Sequence, residues 1–423
     1  MSPPNLQSRS LRAGMAGMGM IFDETYRPLF ESLHAGGLYR RDFGHVEVPL
    51  AAVATRTGTR AREYRGHARG RIGEFASFEG VDAAEQMIAS GVDFVCVATP
   101  DPRHFDVAKR ALQAGLHVIV EKPSVLRLQE LDELVALARQ KGVLAKVVYH
   151  KLCDPDHKKL RTLVYDGELR HVNNGFCSLL EPKSISQGQF AEWIKGRNPG
   201  TYVAVHYIKL IDFSFGGRLK SVTCAGQRGI VGPADGPTWD STQLRLVYEY
   251  GDRREAAFDI HTSWVNPDNF PGYVEQEVQF RFDNGVWNGH SRKRGVELTI
   301  EGKTPNPFKI TMNTHYNGTF IEPWGERSQR GYGIEVLRRF VEEVAYVEFG
   351  GPAGTRGDRL EEMRLPYNDL AADRQVVAAV QAMEAILDHA SKGQPDGVVQ
   401  IDGTGRMTLH LPGKAGSTVL YSR

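Results

Sequence analysis

The chain has 423 residues, 41% of them hydrophobic and 24% charged, which allows two domains with full cores and is ordinary globular composition. Lys plus Arg total 52 against 51 Asp plus Glu, so a net charge of +1 argues against a protein that coats nucleic acid or an acidic membrane. Four cysteines (Cys96, Cys153, Cys177, Cys224) are widely spaced without a CxxC, which argues against a disulfide scaffold or zinc ribbon and fits a reducing compartment.

Along the first third, short apolar runs alternate with helical patterns. Leu11 to Gly19 reads as a strand running into glycines. Val48 to Arg56 holds a second strand that starts after Pro49, and Val92 to Ala98, Leu116 to Val120 and Leu144 to Tyr149 are the next three. Continuous runs of this kind suit strands covered on both faces. Ala83 to Ser90, Phe105 to Ala114 and Leu126 to Gln140 read as helices, the last with Leu128, Leu131, Leu134, Val135 and Ala138 on one face and Gly142 past its end. Alternating strand and helix predicts a doubly wound parallel sheet. Beyond Tyr149 the pattern changes. Gln243 to Tyr250 and Glu275 to Phe282 alternate polar and apolar, and Asp283-Asn284-Gly285 signals a hairpin. Such strands form a sheet with one packed face. Glu335 to Val344 and Ala371 to His389 read as helices, with 345–368 between them as a long surface loop. No run reaches the roughly 20 apolar residues of a membrane helix. The polar N-terminus lacks the apolar segment of a signal peptide, so a cytoplasmic location is expected.

Gly17-Met18-Gly19 follows the first strand, where a dinucleotide needs a tight turn and close backbone approach to its pyrophosphate. The third glycine of that fingerprint is replaced by Phe22, and Pro28 predicts a late helix start. The second strand ends in Ala54-Thr55-Arg56-Thr57-Gly58-Thr59-Arg60, with no carboxylate for a ribose. Thr55, Arg56 and Arg60 suit a 2′-phosphate, which slightly favours NADP over NAD, although solvated arginines read equally well. Later, Ala98-Thr99-Pro100 ends a strand, His104 follows, and Gly115 to Pro123 closes on Glu121-Lys122-Pro123. Pro123 stops the strand and presents Lys122 at its C-terminal edge, where open α/β sheets hold ligands.

ATPxxxH followed by AGxHVxxEKP, after a GxG strand, resembles the Gfo/Idh/MocA oxidoreductases. Tyr149 to Pro155 resembles that family's crossover out of the fifth strand, and Pro199 to Tyr207 its second catalytic segment. The resemblance implies a Rossmann domain (1–149) and a C-terminal α/β domain (150–423) with a large open, mainly antiparallel sheet. It also implies NAD or NADP as cofactor and assembly as a dimer or tetramer. Carried over by residue, it assigns Gly17, Met18, Gly19, Thr99, Pro100, His104, Glu121 and Lys122 to the cofactor side. Lys122 is also a catalytic candidate, with His206 as acid/base. The chain departs from the family at Tyr202 and Lys209, where relatives often carry Asp. Tyr202 is a possible catalytic helper. Lys151, Lys209, Arg292 and Arg294 are candidate substrate contacts, which favours an anionic sugar. Asp212 stays unassigned, and the spacing of His150 and His157 does not suggest a metal site. The expected function is hydride transfer on a sugar or sugar derivative. An NAD-dependent glycosidase working by transient oxidation and elimination, and a non-catalytic sugar sensor, stay open.

Overall fold

The computed structural model describes residues 9–422 except 69, 190, 192, 269, 271–273, 291–295, 303–307, 395, 414 and 415. The chain divides into two compact units. Met1–Val125, Glu130–Cys153 and Tyr316–Asp373 make the first, and Leu126–Gln129, Asp154–His315 and Arg374–Arg423 the second.

In chain order the first unit runs β1 (Ala13–Ala16), α1 (Arg27–Gly36), β2 (Leu50–Thr55), α2 (Thr59–Ala68), β3 (Ala76–Glu79), α3 (Ala83–Ala89), β4 (Phe94–Val97), α4 (His104–Gln113), β5 (His117–Val120), α5 (Leu128–Lys141), β6 (Ala145–Val147) and the short α6 (His150–Cys153). The strands form one sheet in the order β3-β2-β1-β4-β5-β6, every pair parallel. This is the doubly wound order, whose strand order reverses between β1 and β4, the place where such sheets bind ligands. β1, β4 and β5 are buried throughout, as their unbroken apolar runs require. Sequence reading finds five of the six strands. Ala76–Glu79 escapes it because an edge strand with a half-exposed pattern carries little apolar signal.

The second unit opens with α7 (Pro155–Tyr165), where Asp154 caps the helix by accepting from the Asp156 N–H (3.0 Å) and Pro155 fills the first turn. β7 (Val172–Pro182), α8 (Val205–Phe215), β8 (Arg218–Gln227), β9 (Ser241–Glu249), β10 (Glu255–Asn266), β11 (Glu275–Phe282) and β12 (Val286–His290) follow. The chain then returns to the first unit with α9 (Tyr332–Phe349) and α10 (Arg356–Glu362). It ends in the second with α11 (Arg374–Ser391), β13 (Val398–Ile401), β14 (Met407–His410) and β15 (Ser417–Tyr421). Nine strands form the sheet β12-β11-β7-β10-β9-β8-β13-β14-β15, antiparallel at every step except β7 with β10. β9 and β10 alternate buried and open positions along their length. The buried face packs on aromatic rings: Phe215 of α8 lies 5.9 Å from Phe258 and 4.9 Å from Phe280. The predicted hairpin joins β11 to β12, its turn closed by the Phe282 N–H on the Gly285 carbonyl (2.8 Å).

Two expectations are corrected. A single boundary at 149 does not describe the units, because α9 returns to the first core with Val336, Leu337, Phe340, Val341 and Val344 buried. Phe340 meets Phe94 of β4 edge to face at 5.7 Å. At roughly 1.5–3 kcal/mol per buried apolar side chain, that face ties the helix to the first unit. The stretch 345–368 is not one surface loop: α9 runs on to Phe349, and α10 occupies part of the rest. Its charges misled the reading, since Arg359 is buried and donates to the carbonyls of Tyr346, Val347 and Pro352, closing the end of α9. All four cysteines are buried free thiols. No helix among the described residues is long and apolar enough to cross a membrane.

Candidate functional site

Gly17 sits at φ +92°, and its N–H donates to the Ala54 carbonyl (2.9 Å). A Cβ built there lies 2.2 Å from the Ala98 carbonyl oxygen, so only glycine lets the loop cross the end of β4. At Gly19 the same construction meets no heavy atom within 4 Å. The Thr99 hydroxyl, on the next loop, is buried and has no hydrogen-bond partner among the described residues. Open room over one glycine and an unsatisfied hydroxyl nearby fit a dinucleotide lying along the sheet's C-terminal edge. The Met18 side chain is core, while its carbonyl accepts from Arg60 Nε (3.1 Å). Phe22, in the position of the third glycine, is buried against Tyr64 at 5.2 Å.

At the end of β2, Thr55 Oγ1 accepts from the Gly58 N–H (3.0 Å), which folds the turn back. The Arg56 side chain is exposed, with no hydrogen bond or ion pair to the described residues, while its carbonyl accepts from the Gly80 N–H (3.1 Å). Arg60 is engaged: it pairs with Asp23 as well as holding the Met18 carbonyl. Of the two arginines, Arg56 is the one with its guanidinium at liberty.

Pro100 is exposed and leads into the turn Asp101–Arg103. His104 is 1% exposed, and its two ring nitrogens lie 2.7 Å from the Thr99 carbonyl and 2.8 Å from the Pro123 carbonyl. It therefore braces the Thr99 turn against the Lys122-Pro123 turn, whose peptide bond is cis. Burial pushes its pKa down, against the pull of Asp101. Glu121 is buried. One of its oxygens accepts from Tyr26 (3.1 Å), and the other lies 3.4 Å from the Lys122 backbone N–H. Lys122 is half-buried. His150 and Lys151, on α6, are both buried. Burial pushes the His150 pKa down to about 3, helped by the charges of Lys122 and Lys151, so these three basic groups share one neighbourhood. Tyr316 sets its ring edge-on to His150 at 5.8 Å. Tyr26, His150 and Tyr316 carry no motif signal, since aromatic residues at those spacings read only as core.

In the second unit, Tyr202 stands on a π-type turn (Gly200–Ala204) that runs into α8, and His206 is in the first turn of that helix. Both are half-buried. The Tyr202 ring meets Trp193 at 4.7 Å and Trp264 at 6.5 Å, and the buried Trp264 donates to Glu181 (2.9 Å). Lys209 is 1% exposed and pairs with Asp212 at 3.3 Å. Asp212 also accepts from Gln375 (2.6 Å). The lysine that replaces a family acid thus has its counter-charge one turn on, the role the sequence left unassigned. Arg292 and Arg294 lie outside the described residues.

The first unit thus has the strand order and glycine loop of a dinucleotide-binding Rossmann sheet, and the second is built on a separate, mainly antiparallel sheet. Residues 11–149 match the oxidoreductase family described as NAD-binding Rossmann fold. A D-xylose dehydrogenase of Paenarthrobacter nicotinovorans is 40% identical over 305 residues, 66% of this chain and 76% of that one. The chain belongs to this family. With other curated relatives the likeness is partial: it spans 31% of the uncharacterized oxidoreductase YfiI of Bacillus subtilis (strain 168), at 32% identity over 27% of this chain. Among solved structures, GenD2 from gentamicin A biosynthesis in complex with NAD superposes with a TM-score of 0.65 at 19% identity, covering 93% of this chain and 97% of that one. An inositol dehydrogenase homolog complexed with NADH and myo-inositol, from Azotobacter vinelandii, gives 0.64 at 19% identity, covering 93% and 98%.

Proposed function

We propose that the protein is an NAD(P)-dependent oxidoreductase that oxidises a hydroxyl of a sugar or sugar derivative, or reduces the matching ketone. The observation that carries this reading is the pairing of an open glycine at position 19 with the Lys122 turn braced by His104 in the same unit. Gly17, Gly19 and Thr99 would hold the dinucleotide, which supplies the hydride acceptor when bound. Lys122 donates to the reacting oxygen and stabilises the charge that develops on it. His206 takes the hydroxyl proton, a task suited to imidazole near neutrality. Tyr202 donates a further hydrogen bond to the substrate.

An anionic sugar remains the finer reading, supported by the basic neighbourhood that Lys122 and Lys151 share. Assembly as a homo-oligomer is part of the same proposal.

The test is to purify the protein, identify any dinucleotide that comes with it, and screen neutral and anionic sugars. Nicotinamide absorbance is followed together with products by mass spectrometry. Turnover with net nicotinamide reduction supports the reading. Product without net reduction turns it toward redox-neutral cleavage, and binding without product toward a sensor. Affinity for an anionic sugar should fall as salt rises.

A further inference from the structure

We infer that Tyr26 and Glu121 form a positioning pair for Lys122, in which the tyrosine fixes the carboxylate that balances the lysine's charge. The inference rests on the oxidoreductase reading of Lys122.

The glycine loop does not run straight into an α-helix. Phe22–Tyr26 forms a π-type turn, in which the Arg27 N–H donates to the Phe22 carbonyl five residues back. One extra residue in a turn rotates the following side chains by about 100° relative to an unbroken α-helix. Here the outcome is that Tyr26, the last residue of the turn, is fully buried. Its hydroxyl reaches Glu121 across 95 residues of sequence. The irregular turn therefore joins the dinucleotide loop to the lysine turn through one hydrogen bond.

The electrostatics give that bond a consequence. Burial, and then the Glu121 charge, hold the Tyr26 pKa well above its ordinary value, so the phenol is a donor at every working pH. Burial pushes Glu121 up to about 7. Lys122, the Tyr26 hydroxyl and the Lys122 N–H pull it down, and Asp101 pushes it further up. The Cys96 thiol also feels this carboxylate, and burial keeps it protonated. Near pH 7 the group beside Lys122 thus changes between a carboxylate and a neutral acid. In the ionised form the ammonium has a counter-charge. In the neutral form that opposite charge beside the ammonium is lost. Tyr26 favours the ionised form by donating to it.

Full-length protein with Tyr26→Phe and with Glu121→Gln separates this from a purely structural bond. The phenylalanine keeps the ring and removes the donor. It should keep dinucleotide affinity, lower kcat at neutral pH by about ten- to a hundredfold, the worth of one hydrogen bond to a charged group, and move the acid limb of the pH profile upward. The glutamine should lower the titration midpoint of Lys122, read without substrate by competitive acetylation with acetic anhydride and mass spectrometry, because the ammonium has lost its opposite charge. An unmoved acid limb with unchanged kcat in the first variant, or an unmoved Lys122 midpoint in the second, overturns the inference. If the parent oxidises or reduces no sugar while the Lys122 midpoint still falls in Glu121→Gln, the oxidoreductase reading fails and the pair stands.

Discussion

Gly17 and Gly19 lie two residues apart, yet added side chains there should fail in opposite ways. At Gly17 an alanine must adopt φ near +92°, which costs about 1–2 kcal/mol for a residue with a Cβ. Its methyl would also sit 2.2 Å from the Ala98 carbonyl oxygen, a backbone atom that cannot swing aside. Overpacking of that kind costs about 1–3 kcal/mol. Together, Gly17→Ala should lose about 2–5 kcal/mol, lowering the melting midpoint of a unit of this size by about 5–15 °C. At Gly19 nothing lies within 4 Å of the added Cβ, so Gly19→Val should stay within about 0.5 kcal/mol of the parent. Its side chain would fill the space assigned to the pyrophosphate. Calorimetric melting with and without NAD and NADP reads both effects. A ligand at a hundred times its Kd stabilises by about 2.7 kcal/mol, so the parent should melt higher with dinucleotide and Gly19→Val should not. The reasoning is refuted if Gly17→Ala melts with the parent, or if Gly19→Val keeps the parent's dinucleotide-dependent shift.

Lys122→Ala and His206→Ala should each lower turnover by roughly 10²–10⁴-fold with dinucleotide binding kept, and near-normal kcat in either removes that residue from the chemistry. Arg56→Ala should weaken NADP more than NAD, and titration with both shows no difference if that guanidinium does not meet a 2′-phosphate. Lys209→Met should destabilise by about 2–4 kcal/mol by leaving the half-buried Asp212 without its counter-charge, and Lys209→Met with Asp212→Leu should recover much of the loss in denaturant melts. Burial opposes ionisation of Glu348, but hydrogen bonds from His117 and Arg356 and their charges outweigh it and hold the carboxyl at about 2. A carboxyl held down in the fold stabilises above its ordinary 4.5 and loses that contribution as pH falls toward 2. Glu348→Gln should therefore flatten the stability profile between those values, and an unchanged profile counts against the pair.

The parallel sheet was legible because its strands are buried on both faces, so their side chains repeat the same apolar message without a break. Lys122 was legible for another reason: Pro123 ends a strand, and a residue before such a stop sits at the ligand edge of the sheet. What stayed hidden depends on pairings between distant segments. Nothing near Tyr26 announces Glu121, and nothing near Asp212 tells a half-buried counter-ion from a surface acid. Lys209 read as an unmet charge because its one-turn neighbour was judged by its distance from His206 instead of from Lys209. Arg359 fell within the expected surface loop because local sequence cannot show that its guanidinium caps the end of α9.

The return of α9 to the first unit also orders events during synthesis. The chain leaves that unit at Cys153 and rejoins it at Tyr316. At about 5–20 residues per second, the missing helix has emerged from the ribosome roughly 10–40 s after the last strand of the parallel sheet. For that interval the face of β1 and β4 that receives Phe340 and its neighbours has no permanent cover. Chaperone demand should therefore concentrate on this nascent half-core. The first 153 residues, although they contain the whole dinucleotide motif, do not contain everything needed to bury it.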